Sequence, residues 1–174
     1  KKGTALEGWK KKLFFKSVNI AEKSTLGKPT SILNQMQLKI ANKLVFSKWR
    51  EALGGNIKAI ICGSAPLQPR LATVFTNAGI PILEGYGLTE CSPVISVVPF
   101  RKQEFRAGCV GKLLPSVHVK LAEDGEILVK APNVMLGYYK NEAETAKVFD
   151  AERWLLTGDI GEFTKEGYLK ITDR

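Results

Sequence analysis

Ile57-Lys58-Ala59-Ile60-Ile61-Cys62-Gly63-Ser64-Ala65-Pro66 is a nearly continuous apolar run that breaks at small residues and a proline. A strand buried on both faces has that texture. Residues 68–78 follow, with Leu71, Val74 and Phe75 at helical spacing and a stop at Gly79. Ile80-Pro81-Ile82-Leu83-Glu84 is a second apolar run, and it too is closed by glycine. Strand, helix, strand predicts a βαβ unit with parallel strands. In such a sheet ligands bind beyond the carboxyl ends of the strands, and both predicted strands end in glycine-rich turns there. The fold class is therefore α/β.

Upstream, residues 4–24 read as a helix, with Leu6, Trp9, Leu13, Ser17 and Ile20 at helical spacing among lysines. Ser24, Gly27, Pro29 and Ser31 mark a loop. A second helix carries Leu33, Met36, Ile40 and Leu44 on one stripe, expected to be core, and Gly54-Gly55 ends it or a short continuation. Downstream of about residue 108 the texture turns to β. Val117–Leu121, Glu126–Lys130, Trp154–Thr157, Ile160–Phe163 and Tyr168–Ile171 read as short strands, with a helix near Glu142–Phe149. The expected organisation is a helical and α/β part over 1–107 and a small, β-barrel-like part over 108–174.

The chain has 174 residues, 44% of them hydrophobic and 25% charged, which suits a globular protein and excludes wholesale disorder. No apolar run approaches the roughly 18 residues that a membrane span needs. The formal net charge of +9 is concentrated: residues 1–50 hold 12 Lys/Arg against 2 Asp/Glu, and the rest is nearly balanced. Such a block either forms a solvated helix face or meets nucleic acid, anionic lipid or a polyphosphate. No nucleic-acid motif accompanies it, and nucleic acid is not an expected partner. Cys62, Cys91 and Cys109 are odd in number and lack Cys-x-x-Cys spacing, and His118 stands at no zinc-ligand spacing from them. A reducing, cytoplasmic setting is expected. The chain opens Lys1-Lys2-Gly3 without Met and closes on a strand at Arg174, which reads as a piece of something longer.

Three constellations carry chemistry. In Glu84-Gly85-Tyr86-Gly87-Leu88-Thr89-Glu90 the glycines let backbone approach a flat ligand, Tyr86 offers a ring, Thr89 a hydroxyl, and Glu90 a hard oxygen suited to Mg²⁺. Taken alone it is either a glycine-rich turn or a nucleotide site. In Trp154-Leu155-Leu156-Thr157-Gly158-Asp159 a strand delivers an aspartate that either completes a turn or accepts the hydroxyls of a ribose. Gly63-Ser64-Ala65-Pro66 leaves room for a purine or for close packing.

In order along the chain, these motifs stand with Gly125-Glu126-Ile127, Gly137-Tyr138-Tyr139 and Asp173-Arg174, and with the stretch from Arg106 to Pro115. The series resembles the adenylate-forming (AMP-binding) enzymes, and within them the long-chain fatty acid–CoA ligases. The resemblance runs from about residue 56 to the end. It implies part of the large N-terminal domain of such an enzyme, ATP, Mg²⁺ and coenzyme A as cofactors, and a fatty acid as substrate. It further implies that Glu90 holds Mg²⁺ and Thr89 contacts the α-phosphate. Tyr86 would lie along the adenine, Gly63, Ser64 and Ala65 beneath it, and Glu84 and Gly85 at its edge. Asp159 would take the ribose hydroxyls, Arg174 the ribose or phosphates, and Gly87 and Leu88 would border the acyl tunnel.

The family's Ser/Thr/Gly-rich phosphate loop and the C-terminal lid with its lysine find no match in this sequence, and Ser116 stands where a glycine is common. The expectation is a half-site, inert by itself, that works with the remainder of a full-length chain. Ligases for other acids or for carrier-protein thiols share the pattern. A basic membrane-binding or nucleic-acid-binding module built on residues 1–50 is the reading from another class. Trp9, Phe14 and Phe15 beside Lys10, Lys11, Lys12 and Lys16 would serve peripheral attachment to a membrane; the competing expectation is that Trp9 and Phe14 pack inside.

Overall fold

A computed structural model describes residues 6–24, 31–63, 67–100 and 104–174. They divide into two compact units, one drawn from Lys1–Ile61, Leu67–Leu83 and Phe100–Ala107, the other from Cys62–Pro66, Glu84–Pro99 and Gly108–Arg174.

The first unit is mainly helical. Helix α1 spans Gly8–Lys23 and stops at Ser24, whose backbone N–H and hydroxyl both donate to Ile20 O. Helix α2, Ile32–Ala41, is capped by Ser31, whose Oγ accepts from the Asn34 N–H at 3.3 Å. It widens into one π turn at Asn42–Phe46 and continues as α3, Ser47–Ala52. Ala21, Ala41, Val45, Phe46, Val74 and Ala78 form the core, with Leu13, Phe14, Val18, Leu38 and Trp49 packed against it. The Trp49 ring gathers the aromatics, its centroid 4.9 Å from Phe46, 5.5 Å from Phe75 and 5.8 Å from Phe14. Buried Asn77 closes the far side: its Nδ2 donates to Ala21 O at 2.8 Å and to Ser24 O at 2.7 Å. Helix α4, Pro69–Asn77, lies between strands β1, Ile60–Cys62, and β2, Ile82–Tyr86, in the chain. The two strands are neighbours in a sheet, with the Ile60 N–H on Pro81 O, and form its parallel step.

Two expectations for this unit are corrected. Leu33, Met36, Ile40 and Leu44 do not enter the core and are 64, 57, 54 and 47% exposed. The opposite face of α2, through Leu38 and Ala41, is the one that packs, and the π turn carries that face on to Val45 and Phe46. Trp9, expected inside, is 69% exposed, whereas Phe14 does pack.

The second unit is β-rich. The end of β2 pairs antiparallel with β3, Ser96–Val97, which pairs with β4, Lys112–Leu113. A separate curled antiparallel sheet has the order β5, His118–Leu121; β6, Glu126–Lys130; β7, Leu155–Phe163; β8, Leu169–Asp173. Strand β7 joins the two expected strands at 154–157 and 160–163 in one element, with Thr157-Gly158-Asp159 bulged out of the ladder between the pairs Leu156–Leu128 and Ile160–Glu126. Irregular steps beside β6 and β8 absorb the mismatch. The core consists of Cys91, Ile95, Val117, Ile127, Val129, Leu155 and Leu169, contributed by turns and strands together. Helix α5, Glu142–Lys147, is capped by Asn141, whose Oδ1 accepts from the Glu144 N–H. Among the described residues no helix is long and apolar enough to cross a membrane.

Candidate functional site

Strand β2 grows more open toward its end: Ile82, Leu83 and Glu84 are buried, Gly85 and Tyr86 half-buried. Pairing of Gly85 with Val97 and Tyr86 with Ser96 fixes the strand to its last residue. Gly87 then turns the chain against Pro93, where an added Cβ would lie 1.7 Å from the Pro93 carbonyl oxygen. Only glycine fits there. Thr89–Cys91 make a single 3₁₀ turn, closed by bonds from the Cys91 N–H to Leu88 O and from the Ser92 N–H to Thr89 O. Cys91 enters the core with no exposure, and burial pushes its thiol up to about 11. Thr89 is thereby left exposed and Glu90 half-exposed on a turn nailed down by its third residue.

Asp159 is positioned from the other sheet. Thr157 Oγ1 donates to Ile127 O at 2.7 Å and accepts from the Asp159 N–H at 3.2 Å, while the Gly158 N–H donates to Glu126 Oε1 at 2.8 Å. The Asp159 side chain is almost fully buried, yet it is a charge with partners. Tyr86 Oη donates to Oδ2 at 2.7 Å, and Arg174 Nε lies 3.0 Å from Oδ1. Burial raises the Tyr86 phenol far above its ordinary range; the Asp159 carboxylate adds to that and a bond with Thr157 opposes it. Tyr86 stays a proton donor through the physiological range.

Tyr86, Asp159 and Arg174 are thus brought together. Thr89 and Glu90 share the turn that follows Tyr86. Gly63 lies beside Gly85, its added Cβ 3.7 Å from Gly85 O. Ser64 and Ala65 lie outside the described residues. Two residues without a role in the sequence reading belong to this neighbourhood. Thr157 accepts from the Asp159 N–H within the irregular step of β7, and Tyr138 Oη donates to Glu90 Oε1 at 2.9 Å, so that the carboxylate raises the phenol's pKa. The Gly137-Tyr138-Tyr139 motif was visible, but nothing in its spacing ties it to Glu90.

No group of three or more His, Cys, Asp or Glu residues is gathered among the described residues. A site made of one carboxylate still suits Mg²⁺, which takes one or two carboxylates and completes its shell with phosphate and water. Glu90 fits that mode, with Tyr138 on Oε1. An open hollow of about 450 Å³ lies elsewhere in the same unit, beside Ser92, Val94, Ser116 and Asn133; Tyr86, Thr89, Glu90 and Asp159 do not line it.

The model of the AMP-binding enzyme family matches residues 12–139. The long-chain-fatty-acid–CoA ligase FadD15 of Mycobacterium bovis is 38% identical over 158 residues, covering 91% of this chain and 26% of the relative. Long-chain-fatty-acid–CoA ligase 6 of Rattus norvegicus is 39% identical over 147 residues, covering 78% and 21%. Among solved structures, the o-succinylbenzoate coenzyme A synthetase of Bacillus subtilis in complex with AMP is 30% identical, covers 74% of this chain and 29% of that chain, and superposes with a TM-score of 0.62. The chain spans about a quarter, or less, of the length of these relatives. With a family match over most of its length and the motifs clustered as described, the chain belongs to the AMP-binding enzyme family.

Proposed function

We propose that these residues form part of a ligase that activates a long-chain fatty acid with ATP and passes the acyl group to coenzyme A. The observation that supports this most directly is the buried Asp159 held between Tyr86 and Arg174 in the same unit as the Thr89–Glu90 turn. In the first step a carboxylate oxygen of the acid attacks the α-phosphorus, the bond to the β-phosphate breaks, and pyrophosphate leaves. In the second the coenzyme A thiolate attacks the acyl carbon, and AMP leaves with the bonding pair.

On this reading Asp159 accepts ribose hydroxyls through the lone pairs that Tyr86 and Arg174 leave open, since an ionised carboxylate offers about four acceptor sites. Tyr86 presents its ring along the adenine, and Gly63, Gly85 and Gly87 let backbone approach closely. Glu84 lies at the adenine's edge. Thr89 donates to the α-phosphate oxygen, and Arg174 turns from Asp159 toward ribose or phosphate. Glu90 is the residue that would hold Mg²⁺, and the ion would screen the charge between the two anionic reactants. Fixed placement of acid and α-phosphorus supplies the rest of the rate.

The test is a calorimetric titration with a non-hydrolysable long-chain acyl-adenylate mimic, with Asp159→Ala as control. Binding abolished by the substitution is the expected result. Equal binding by both proteins overturns the assignment of Asp159. Mimics carrying an aryl acid in place of the acyl chain separate this reading from ligases of other acids.

Contact with a membrane surface is a second proposal. Its support is that Trp9 and Phe15 are 69 and 48% exposed on the helix that carries Lys10, Lys11, Lys12 and Lys16. Changing Lys10, Lys11 and Lys12 to Gln should release the chain from anionic vesicles; unaltered co-sedimentation removes the idea.

A further inference from the structure

We propose that Tyr138 is the positioning residue for Glu90: the loop 131–139 clamps the 3₁₀ turn, and the Tyr138 hydroxyl holds one carboxylate oxygen so that the other is presented to the metal. This rests on the reading of Glu90 as the Mg²⁺ ligand.

The clamp has three grips along the turn. Asn133 Nδ2 donates to Cys91 O and, at 3.1 Å, to Val94 O. The Met135 N–H donates to Glu90 O at 2.7 Å. Tyr138 Oη donates to Glu90 Oε1 at 2.9 Å. The first two fix the backbone, and the third alone reaches the carboxylate. The loop is itself anchored. The Tyr138 N–H donates to Thr145 Oγ1 at 2.9 Å on α5, and Arg153 Nη2 donates to Leu136 O at 3.0 Å. Gly137 makes the approach to α5 feasible, because a Cβ there would lie 2.7 Å from Thr145 Cγ2. Glu144, the nearby acid on α5, has Lys147 Nζ 2.6 Å from its Oε1. The phenol is therefore a fixed point from which the Glu90 side chain hangs.

The consequence is a division of labour. A half-exposed glutamate with one free end samples several rotamers, and each must be given up when it ligates a cation. A donor on Oε1 selects one rotamer beforehand and leaves Oε2 for the metal, as partners of ligating carboxylates do in metal sites. Asn133 and Met135 keep the loop in place when the hydroxyl is gone, so fold and metal affinity separate on substitution.

The experiment uses the full-length ligase, with Mn²⁺ as a probe for Mg²⁺ read by water-proton relaxation in the presence of ATP. AMP affinity without metal is measured by calorimetry alongside. Tyr138→Phe should weaken Mn²⁺ about tenfold, the lower end of the effect typical of such outer partners, and leave AMP affinity unchanged. Native Mn²⁺ affinity in Tyr138→Phe together with weakened affinity in Glu90→Gln overturns the positioning role and keeps the metal reading. Native affinity in Glu90→Gln removes the metal reading and this inference with it. An equal loss of AMP and Mn²⁺ affinity in Tyr138→Phe also overturns it, by showing a purely structural clip.

Discussion

Tyr86 Oη donates to Asp159 Oδ2 at 2.7 Å across 73 positions of sequence. The bond joins the end of β2 to the middle of β7, and it supplies a buried carboxylate with a donor beside Arg174. Tyr86→Phe keeps the ring and removes that donor. Leaving a buried charged acceptor short of a bond costs about 1–3 kcal/mol, so the unfolding free energy in urea should fall by that amount. Native stability in Tyr86→Phe would show that Arg174 and solvent satisfy Asp159 without the phenol.

Alkaline pH should weaken the fold through Cys91. Its thiol moves from the ordinary 9.0 to about 11 on folding, because burial opposes the thiolate. Raised in the folded state, it contributes stability that is whole below pH 9 and lost as pH climbs toward 11, because the unfolded chain releases the proton first. The contribution is roughly 2–3 kcal/mol at one pKa unit per 1.4 kcal/mol. Unfolding free energies measured from pH 8 to 10 should fall in the native chain and flatten in Cys91→Ala; parallel profiles refute the assignment.

Gly87→Ala should be among the most damaging single changes. The new Cβ would fall 1.7 Å from Pro93 O, a contact with backbone rather than with a side chain that can swing away. Overpacking typically costs about 1–3 kcal/mol and occasionally more, and a clash with backbone belongs at the upper end. A thermal midpoint within a degree of the native chain would mean that the 87–93 turn has another conformation available.

Asn77→Ala tests the helical unit. It removes the donors to Ala21 O and Ser24 O, both at the end of α1, and the loss should be about 2–3 kcal/mol. Amide exchange along α1 should quicken with it; exchange unchanged over residues 17–24 would uncouple Asn77 from that helix end.

Leu33→Gln and Met36→Gln should each leave the stability of this 174-residue chain within about 0.5 kcal/mol, since both side chains are already in water. A larger loss in either would show that the α2 stripe is covered.

That last contrast marks how far the sequence could be read. Periodicity in Leu33, Met36, Ile40 and Leu44 correctly gave a helix, but a period says which residues share a face and nothing of what meets it. Here both sides of α2 are apolar, and the narrower one, Leu38 and Ala41, found the partners. The strand–helix–strand order was legible because apolar runs and Gly79 leave local signals, but the burial expected of the first run was not met: Ile61 in β1 is 76% exposed, and only Ile82, Leu83 and Glu84 of β2 are buried. Strands of two residues such as β3 and β4 leave none, since their pairing is decided by residues far along the chain. The same holds for the site. Tyr86, Glu90 and Asp159 could be named from motifs, whereas the Tyr138–Glu90 bond spans 48 positions and needs the folded loop to appear.

Cys91 is buried without exposure directly after Glu90, so the turn that presents the candidate ligand has its foot in the hydrophobic interior. No hinge separates the two. Warming that loosens the interior must disorder the ligand-bearing turn at the same moment, and a ligand that steadies the turn must stiffen the interior. Loss of metal-dependent nucleotide binding and melting of this unit should therefore trace a single curve, with no warm interval in which the fold persists but the turn has let go.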